Sequence, residues 1–466
     1  MTEVLTPLVY LLASALFIVG LRFLSSPKGA RRGNTVAAIG MAIAVGWTVV
    51  LLAGRFTPAG IVVCVLGVLL GAVAGTVGAR RVRMTAIPQM VALFNGVGGG
   101  AAALVAVVEL LQLGGHRPDL QSGLPSVFAI IVGAISFAGS AVAFAKLQEL
   151  MTGRPITYPA QQIVNGLLGV LILALAVTLL AFSGRPVVFI ALLALALVLG
   201  VAFVLPIGGA DMPVVISLLN AFTGLAVAAS GFVLDNFALI VAGTLVGASG
   251  TLLTMLMGEA MGRSLASVLF GAFGRIQTGG PAAAAGGGDR SVRAGTSEDV
   301  GTMLAYSRNV VVVPGYGLAV AQAQHVVREL GELLESRGVA VQYAIHPVAG
   351  RMPGHMNVLL AEANVPYEQL KAMEEINDQF KTTDAVLVVG ANDVVNPAAK
   401  SSPGSPIYGM PILNVDQAKT VVFLKRSMRP GFAGIDNELL YDPKTVMLFG
   451  DAKDSLTKLL AAVKAA

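Results

Sequence analysis

The sequence is poor in charged residues, cysteine and tryptophan. Only 12% of its 466 residues are charged and 55% are apolar, whereas a soluble protein has about 25% charged residues. The single cysteine, Cys64, excludes an intrachain disulfide. No cysteine and histidine spacing suits a metal ion, and no Ser–His–Asp or Cys–His set suits a nucleophile. The composition therefore excludes an ordinary soluble protein.

The shortage of charge is confined to the first 276 residues. They contain 14 Lys and Arg and 7 Asp and Glu, whereas the remaining 190 residues contain 17 and 19. The basic excess of the first part lies in short loops between apolar runs, which is typical of a protein in a lipid bilayer and not of a nucleic-acid-binding surface. We predict a transmembrane domain over residues 1–276 and a globular domain after it.

Nine segments of the first part are long and apolar enough to cross a bilayer, which requires about 20 residues. Ten Lys and Arg flank them on one side and three on the other, and this bias predicts an outside N-terminus and a cytoplasmic C-terminal domain. The sequence thus predicts an all-α bundle of about nine transmembrane helices. The predicted spans are Pro7–Leu24, Thr35–Ala53, Ile61–Gly78, Ile87–Leu113, Ser126–Leu147, Gln161–Phe182, Val187–Leu205, Met212–Gly231 and Phe237–Met257.

Residues 277–300 are rich in glycine and alanine and predict a flexible linker. Beyond them, short apolar runs alternate with helical patterns, which predicts a soluble α/β domain with a doubly wound parallel sheet over residues 301–466. Helices are predicted after the first strand, near Tyr367–Phe380 and over Ser455–Val463. The predicted strands are Asn309–Pro314, Val339–Ile345, Ala385–Ala391, Pro411–Val415, Thr420–Leu424 and Thr445–Phe449.

A glycine-rich turn follows the first predicted strand. Gly315 and Gly317 occupy the first two positions of the dinucleotide-binding fingerprint, where glycine lets the backbone turn tightly and approach a pyrophosphate. Val320 stands at the third glycine position. The alternative is an ordinary tight turn between a strand and a helix.

Basic residues follow two other predicted strands. The loop after Ile345 has no acidic residue for a ribose hydroxyl and supplies Arg351, which favours a phosphorylated ribose or a pyrophosphate contact. Lys425–Ser427 ends another strand with two cations and a hydroxyl that suit a 2′-phosphate, although a solvated basic loop is the alternative. Asn392 and Asp393 lie just past a strand end, where ligands bind in such sheets, and an Asx turn is the alternative for them.

Long stretches of the chain resemble one family, the beta subunit of the proton-translocating NAD(P) transhydrogenase. The resemblance covers nearly the whole chain and implies a Rossmann-like fold for the soluble domain. The matching stretches are Pro314–Gln324, His346–Tyr367, Gly390–Ala399, Phe423–Gly434 and Leu448–Lys453 in the soluble domain, and Asp211–Gly224 in the membrane part.

The resemblance also implies which residues contact NADP(H) on this chain, without assigning a catalytic side chain. By this resemblance the cofactor lies along Gly315, Tyr316 and Gly317, and its phosphates lie at Val348, Gly350 and Arg351. Asn392 and Asp393 are placed near the nicotinamide, and Lys425, Arg426 and Ser427 at the 2′-phosphate. Gly431, Phe432 and Ala433 form a lid, and Gly450 and Asp451 lie at the adenosine end.

The same resemblance implies a partner, an alpha subunit that carries an NAD(H)-binding domain and additional membrane helices. It implies a dimer of the alpha–beta unit in the cell inner membrane, with hydride passing between the two nicotinamides while proton flow drives formation of NADPH. Two positions depart from the family pattern. Phe432 replaces a tyrosine found in many members, and Asn95 stands where some members have a histidine.

Three predicted spans contain an asparagine six or seven residues after a proline, so the three amides should lie at similar depth, about 9–11 Å along their helices. We predict that Asn95 and Asn220 line a hydrated proton path, with hydrogen bonding between helices as the alternative, and that alternative is preferred for Asn165. Asp211 precedes the eighth span, where it either couples protonation to the soluble domain or is a simple interfacial carboxylate.

The alternative function is transport across the membrane rather than hydride transfer. A transporter or channel with a regulatory, redox-sensing nucleotide-binding domain would share the same two-part organisation. The sequence contains no Walker A motif and no selectivity filter within its spans, which argues against that class.

Overall fold

The computed structural model describes residues 2–466 except 27–28, 53, 55–56, 83–85, 149, 153–155, 183–184, 209–210, 261–291, 351–353, 403–404, 406 and 432. The chain divides into two compact units, a bundle of long apolar helices and an α/β domain.

Nine helices in the described part of the first unit are long and apolar enough to cross a membrane, as the sequence predicts. Each predicted span coincides with one of them, and no helix end differs from its predicted end by more than six residues. They are α1 (Thr2–Leu24), α2 (Ala30–Leu52), α3 (Pro58–Arg81), α4 (Ile87–Gln112), α5 (Leu120–Leu147), α6 (Gln161–Ala181), α7 (Pro186–Val204), α8 (Met212–Val233) and α9 (Phe237–Ala260).

Small residues bring the central helices of this unit close together. A Cβ atom on Gly99 of α4 would lie 2.9 Å from the carbonyl oxygen of Gly133 on α5, and a Cβ on Gly133 would lie 2.5 Å from the oxygen of Gly99. Gly224 of α8 is similarly close to α9, where its Cβ would lie 2.4 Å from the nitrogen of Gly247. Such contacts stabilise membrane helices because lipid offers no hydrophobic driving force between them.

The second unit is built on a six-stranded parallel sheet with strand order β3-β2-β1-β4-β5-β6. This order is typical of dinucleotide-binding Rossmann domains, so the predicted fold class is confirmed. The strands are β1 (Asn309–Pro314), β2 (Ala340–Ile345), β3 (Leu370–Ala372), β4 (Ala385–Val389), β5 (Thr420–Lys425) and β6 (Thr445–Phe449). The helices are α10 (Ser297–Ala305), α11 (Tyr316–Val320), α12 (Gln324–Ser336), α13 (His355–Glu362), α14 (Met373–Ile376), α15 (Ala398–Ser401) and α16 (Ala452–Ala465).

Two predicted elements of this domain are wrong. The segment Tyr367–Phe380 is not one helix, because Leu370–Ala372 pairs with β2 as strand β3 and only short helical turns flank it. The segment Pro411–Val415 is not a strand. Its apolar residues Leu413 and Val415 are fully buried against one face of the sheet, so they cover the sheet without joining its edge.

The segment before β1 is part of the folded domain. Ala294 forms a parallel bridge with Met447 of β6, and Gly301 of α10 packs directly on Ala462 of α16. Residues 294–300 belong to the stretch that composition suggests as a linker, and they are ordered here against the sheet and its last helix. Residues 277–291 lie outside the described part of the chain.

Candidate functional site

The centre of the candidate cofactor site is made of backbone. β1 and β4 are neighbours, and the turns that follow them touch, because Gly315 donates its N–H to Val389 and Gly317 donates to the oxygen of Gly390 at 3.0 Å. A Cβ on Gly315 would lie 2.4 Å from that same oxygen. The glycines therefore allow two turns to meet at the carboxyl end of the sheet, which is where nucleotides bind in this fold.

Replacing Gly315 by alanine should destabilise the α/β domain by about 1–3 kcal/mol, because the new methyl group would overlap backbone atoms of Gly390 and Ala391 that cannot rotate away. Scanning calorimetry of the purified full-length chain measures the loss. Gly409→Ala is a useful comparison. Its φ of +82° adds strain, but no atom lies within 4 Å of the added Cβ, so a larger loss there would contradict the crowding explanation.

The basic loop after β5 is joined to the end of β6. The Arg426 guanidinium donates to Asp451 Oδ2 at 2.8 Å, and the N–H of Gly450 donates to the oxygen of Lys425. The N–H of Lys453 and the Arg426 guanidinium hold the pKa of the Asp451 carboxyl below its usual value. The structure thus brings together two groups of residues that the sequence predicted separately. Arg426 and Ser427 are exposed, and so they are available to an anion.

Lys425 interacts electrostatically with carboxylates outside its own loop. Its ammonium donates to the oxygen of Arg429 at 2.6 Å and lies in the field of two carboxylates, Asp393 and Asp436. Burial lowers the pKa of the Lys425 ammonium, and both carboxylates oppose that shift. The Lys425 side chain is therefore half-buried, and its ammonium is influenced by negative charge nearby.

The predicted lid contacts the turn after β4. The N–H of Ala433 donates to Asp393 Oδ2 at 2.8 Å. Gly431 is so close to this turn that a Cβ there would lie 2.4 Å from both Asn392 Nδ2 and Asp393 Oδ1. Phe432, between them, lies outside the described residues. The lid and the Asn392–Asp393 pair, predicted from separate stretches, form one contact.

The loop after β2 is fixed by two buried histidines. The N–H of Val348 donates to His346 Nδ1, so the ring proton lies on Nε2, which donates to the oxygen of Pro411 at 2.8 Å. Gly350 has a φ of +109° and its Cβ would lie 2.4 Å from His355 Nδ1. The ring of His355 lies 6.3 Å from that of Tyr316, which brings the loop to the glycine-rich turn. Arg351 lies outside the described residues.

Burial lowers the pKa of His346 below its ordinary value of 6.5, although the Pro411 carbonyl and Glu374 oppose the shift. The unfolded chain therefore takes up a proton that the folded domain resists, and stability should fall as pH drops below about 6.5. Above that pH both states are neutral at this residue and it contributes no slope.

Scanning calorimetry of the full-length chain at roughly pH 7.5 and pH 5.5 checks this pH dependence. His346→Gln should reduce the loss at the lower pH, and His325→Gln, at an exposed position on α12, should keep it. An unchanged pH slope in His346→Gln would remove His346 as the cause.

The structure surrounds Asn95 with hydroxyl groups that the sequence analysis did not select. Asn95 Nδ2 donates to Ser140 Oγ at 2.9 Å and to Ser136 Oγ at 3.3 Å, both on α5. Ser136 Oγ lies 2.6 Å from Thr223 Oγ1 of α8. Among the described residues no group donates a hydrogen bond to Asn95 Oδ1, although this oxygen is buried. These four side chains form a buried polar cluster between α4, α5 and α8. In the sequence only Thr223 lies near one of these asparagines, because the span that contains Ser136 and Ser140 has no asparagine.

The remaining polar residues of the first unit have different surroundings. Asn220 is half-buried, and its amide forms no hydrogen bond with another described residue, so it does not join the cluster. Asn165 accepts a hydrogen bond from Tyr158 at 2.6 Å, a partner seven residues earlier rather than on another helix. Asp211 occupies the N-cap position of α8, where negative charge is favourable.

Lys146, one of the ten cations on the more basic side of the predicted spans, is buried at the end of α5. Its ammonium donates to the oxygens of Leu205 and Ile207, which follow α7. The charge is therefore used to hold two helix ends together, because the last carbonyls of a helix lack intrahelical partners.

Nine apolar helices followed by a Rossmann-type domain with a basic strand-end loop define a membrane protein that carries a dinucleotide-binding domain. The sequence model of the NAD(P) transhydrogenase beta subunit matches residues 6–462. The chain is 50% identical to the NAD(P) transhydrogenase subunit beta of Rhodospirillum rubrum over 470 residues, which span 99% of this chain and 100% of the relative. The NAD(P) transhydrogenase subunit beta of Rhodospirillum rubrum strain ATCC 11170 has the same identity and coverage.

The chain therefore belongs to the NAD(P) transhydrogenase beta subunit family, as its sequence motifs indicate. This family is a family of enzymes, the proton-translocating transhydrogenases, so the enzyme class is confirmed. Membership implies use of NADP(H) and NAD(H), an alpha-subunit partner and a place in a membrane.

Proposed function

We propose that this chain binds NADP(H) in its α/β domain, exchanges hydride with NAD(H) held by an alpha subunit, and couples that exchange to proton passage through its helices. The observation that supports it best is the loop Lys425–Ser427, because it places two cations and a hydroxyl at a strand end beside Asp451. No acidic side chain follows β2 to select an unphosphorylated ribose.

The residues at the carboxyl ends of the strands fit a phosphorylated dinucleotide. Arg426 offers a planar fork and Lys425 a point charge, which together suit a phosphate monoester. The touching turns of Gly315 and Gly390 present backbone without side chains, so a pyrophosphate can approach closely. When bound, NADP(H) supplies the nicotinamide that gives or takes hydride. We assign Gly431–Ala433 to that side as a lid, because Gly431 and Ala433 contact the polar pair Asn392 and Asp393.

The buried polar cluster of Asn95, Ser136, Ser140 and Thr223 supports a proton path. Hydroxyl and amide groups can form a continuous hydrogen-bonded chain with water. Isolated polar groups within a membrane span are costly in free energy. Asparagine does not take up a proton near neutral pH, so we assign the protonatable group to the additional helices of the partner. Asn220 extends this route along α8, three residues before Thr223, and Asp211 lies at its cytoplasmic mouth.

The energy of proton flow is sufficient for the task. One charge crossing about 200 mV releases about 4–5 kcal/mol, which shifts an equilibrium ratio by about three decades.

We propose an N-terminus outside the inner membrane, a cytoplasmic α/β domain, and a dimer of the alpha–beta unit.

Membranes that contain this chain and its alpha subunit should reduce an NAD analogue with NADPH, and a deuterium label on the NADPH nicotinamide should appear in the reduced analogue. Transfer of the label separates hydride exchange from the rival function. A redox-sensing channel would give nucleotide-dependent ion flux with no reduced analogue. Membranes with the alpha subunit alone provide the control.

A further inference from the structure

Two buried asparagines connect the turn after β4 to the segment that follows the lid. Asn437 is 2% exposed and Asn396 is fully buried. Each accepts a hydrogen bond at its Oδ1 from the backbone N–H two residues later, Leu439 in one case and Ala398 in the other, both at 3.0 Å. Each also donates from Nδ2 across to the opposite segment. The two side chains therefore form crossed connections between the same two pieces of chain.

The two connections differ in what they reach. Asn396 Nδ2 donates to the backbone oxygen of Asp436 at 3.0 Å. Asn437 Nδ2 donates to the backbone oxygen of Asn392 at 3.1 Å and also to its side-chain Oδ1 at 3.4 Å. Only Asn437 of this pair therefore contacts a side chain of the candidate cofactor site.

These bonds fix the direction of each amide. The N–H of Leu439 can only donate, so Asn437 must turn its Oδ1 toward it and its Nδ2 toward Asn392. Asn392 must then present Oδ1 to Asn437, which leaves its Nδ2 facing Asp393 Oδ1 at 3.2 Å and the lid residue Gly431. The Leu439 N–H, acting through the Asn437 amide, and the Asp393 carboxylate together direct the donor end of Asn392 toward the lid.

We propose that Asn437 is a positioning residue for hydride exchange, which acts by orienting the Asn392 amide so that a donor rather than an acceptor faces Asp393 and the lid. This inference depends on the proposed function, since Asn392 is placed there near the nicotinamide. Asn437 itself is separated from the site by Asn392.

An isosteric substitution tests the orientation. Asn437→Asp keeps the size of the side chain and the acceptor for Leu439, but it replaces the donor that faces Asn392 by a second acceptor. The new carboxylate then competes with Asp393 for the Asn392 Nδ2 donor, and rotation of the Asn392 amide toward it turns an acceptor toward Asp393. Asn396→Asp is the matched control, because it makes the same change between the same two segments without contacting Asn392.

The measurement uses membranes with the full-length chain and its alpha subunit. We expect the maximal rate of NADPH-dependent reduction of an NAD analogue to fall about 10- to 100-fold further in Asn437→Asp than in Asn396→Asp. The thermal midpoints of the two variants should fall by similar amounts. Equal rates in the two variants would overturn the proposal, because both would then report only the loss of a buried hydrogen bond.

A second pair of variants covers the case in which the aspartates prevent folding. Asn437→Ser and Asn396→Ser remain neutral and can still accept the local N–H bond but are too short to reach across. The same order of rates is expected, with a smaller difference. Binding of NADPH and NADH by the unsubstituted chain is measured alongside. No preference for NADPH there would refute the proposed function, whereas a preference with equal rates in both serine variants would refute only the role of Asn437.

Discussion

Replacing Arg426 by alanine should weaken binding of NADP(H) to the full-length chain about 10- to 100-fold, because a hydrogen bond to a charged group contributes about 1.5–3 kcal/mol. The affinity for NAD(H), which lacks the 2′-phosphate, should be nearly unchanged. The exposed pair with Asp451 is lost as well, but a surface pair contributes little, so the fold should persist.

Arg429→Ala is the matched control for this experiment. It removes the same charge from the same loop, and only the backbone oxygen of Arg429 contacts Lys425. Isothermal titration of purified protein with both nucleotides gives the two affinities. If Arg426→Ala lowered the affinities for NADP(H) and NAD(H) equally, or if Arg429→Ala matched its effect on NADP(H), the 2′-phosphate role of Arg426 would be untenable.

Replacing Asn220 by leucine should reduce coupled turnover about tenfold or more, because an apolar side chain in the hydrated route raises the barrier to a proton. NADP(H) binding should remain intact, since the substitution lies in the other unit of the chain. Turnover is measured in sealed vesicles with the alpha subunit, as reduction of an NAD analogue by NADPH together with proton uptake.

Asn165→Leu is the comparison for that result. The substitution is identical and the position along its helix is similar, but Asn165 hydrogen-bonds locally to Tyr158 and not to the central helices. We expect it to keep most of the coupled turnover. Loss of NADP(H) affinity in Asn220→Leu, or an equal loss of turnover in both variants, would contradict a specific role for Asn220 in the proton route.

The sequence predicted the large elements of this protein because their patterns are physically strong. Twenty apolar residues in a row have few alternatives to a membrane helix, and all nine predicted spans are helices of the described chain. The short valine-rich run Asn309–Pro314 is buried on both faces, and its ends in the structure equal the predicted ones. The apolar run Pro411–Val415 predicted a strand wrongly, because an apolar pattern reports burial and not strand pairing. Its residues are buried against a face of the sheet but do not pair with a strand.

Contacts within the candidate site were less accessible to sequence reasoning. The separate stretches at Lys425 and Gly450, and at Asp393 and Ala433, were selected by chemistry or resemblance, but the hydrogen bonds that join them depend on strand order. Ser136, Thr223 and Asn437 were missed because serine, threonine and asparagine are common, and only packing against a neighbouring element distinguishes them. A one-dimensional pattern contains no record of such neighbours.

The touching turns of Gly315 and Gly390 separate the residues that folding requires from those that can select a nucleotide. The centre of the candidate site is main chain, so its shape is set by the sheet. A side chain at Gly315 would overlap neighbouring backbone atoms. We therefore expect the choice among nucleotides to depend on peripheral side chains such as Arg426, which is exposed and lies outside the core. A redesign of nucleotide preference in this enzyme should therefore succeed by exchanging peripheral residues alone, with the central glycines left untouched.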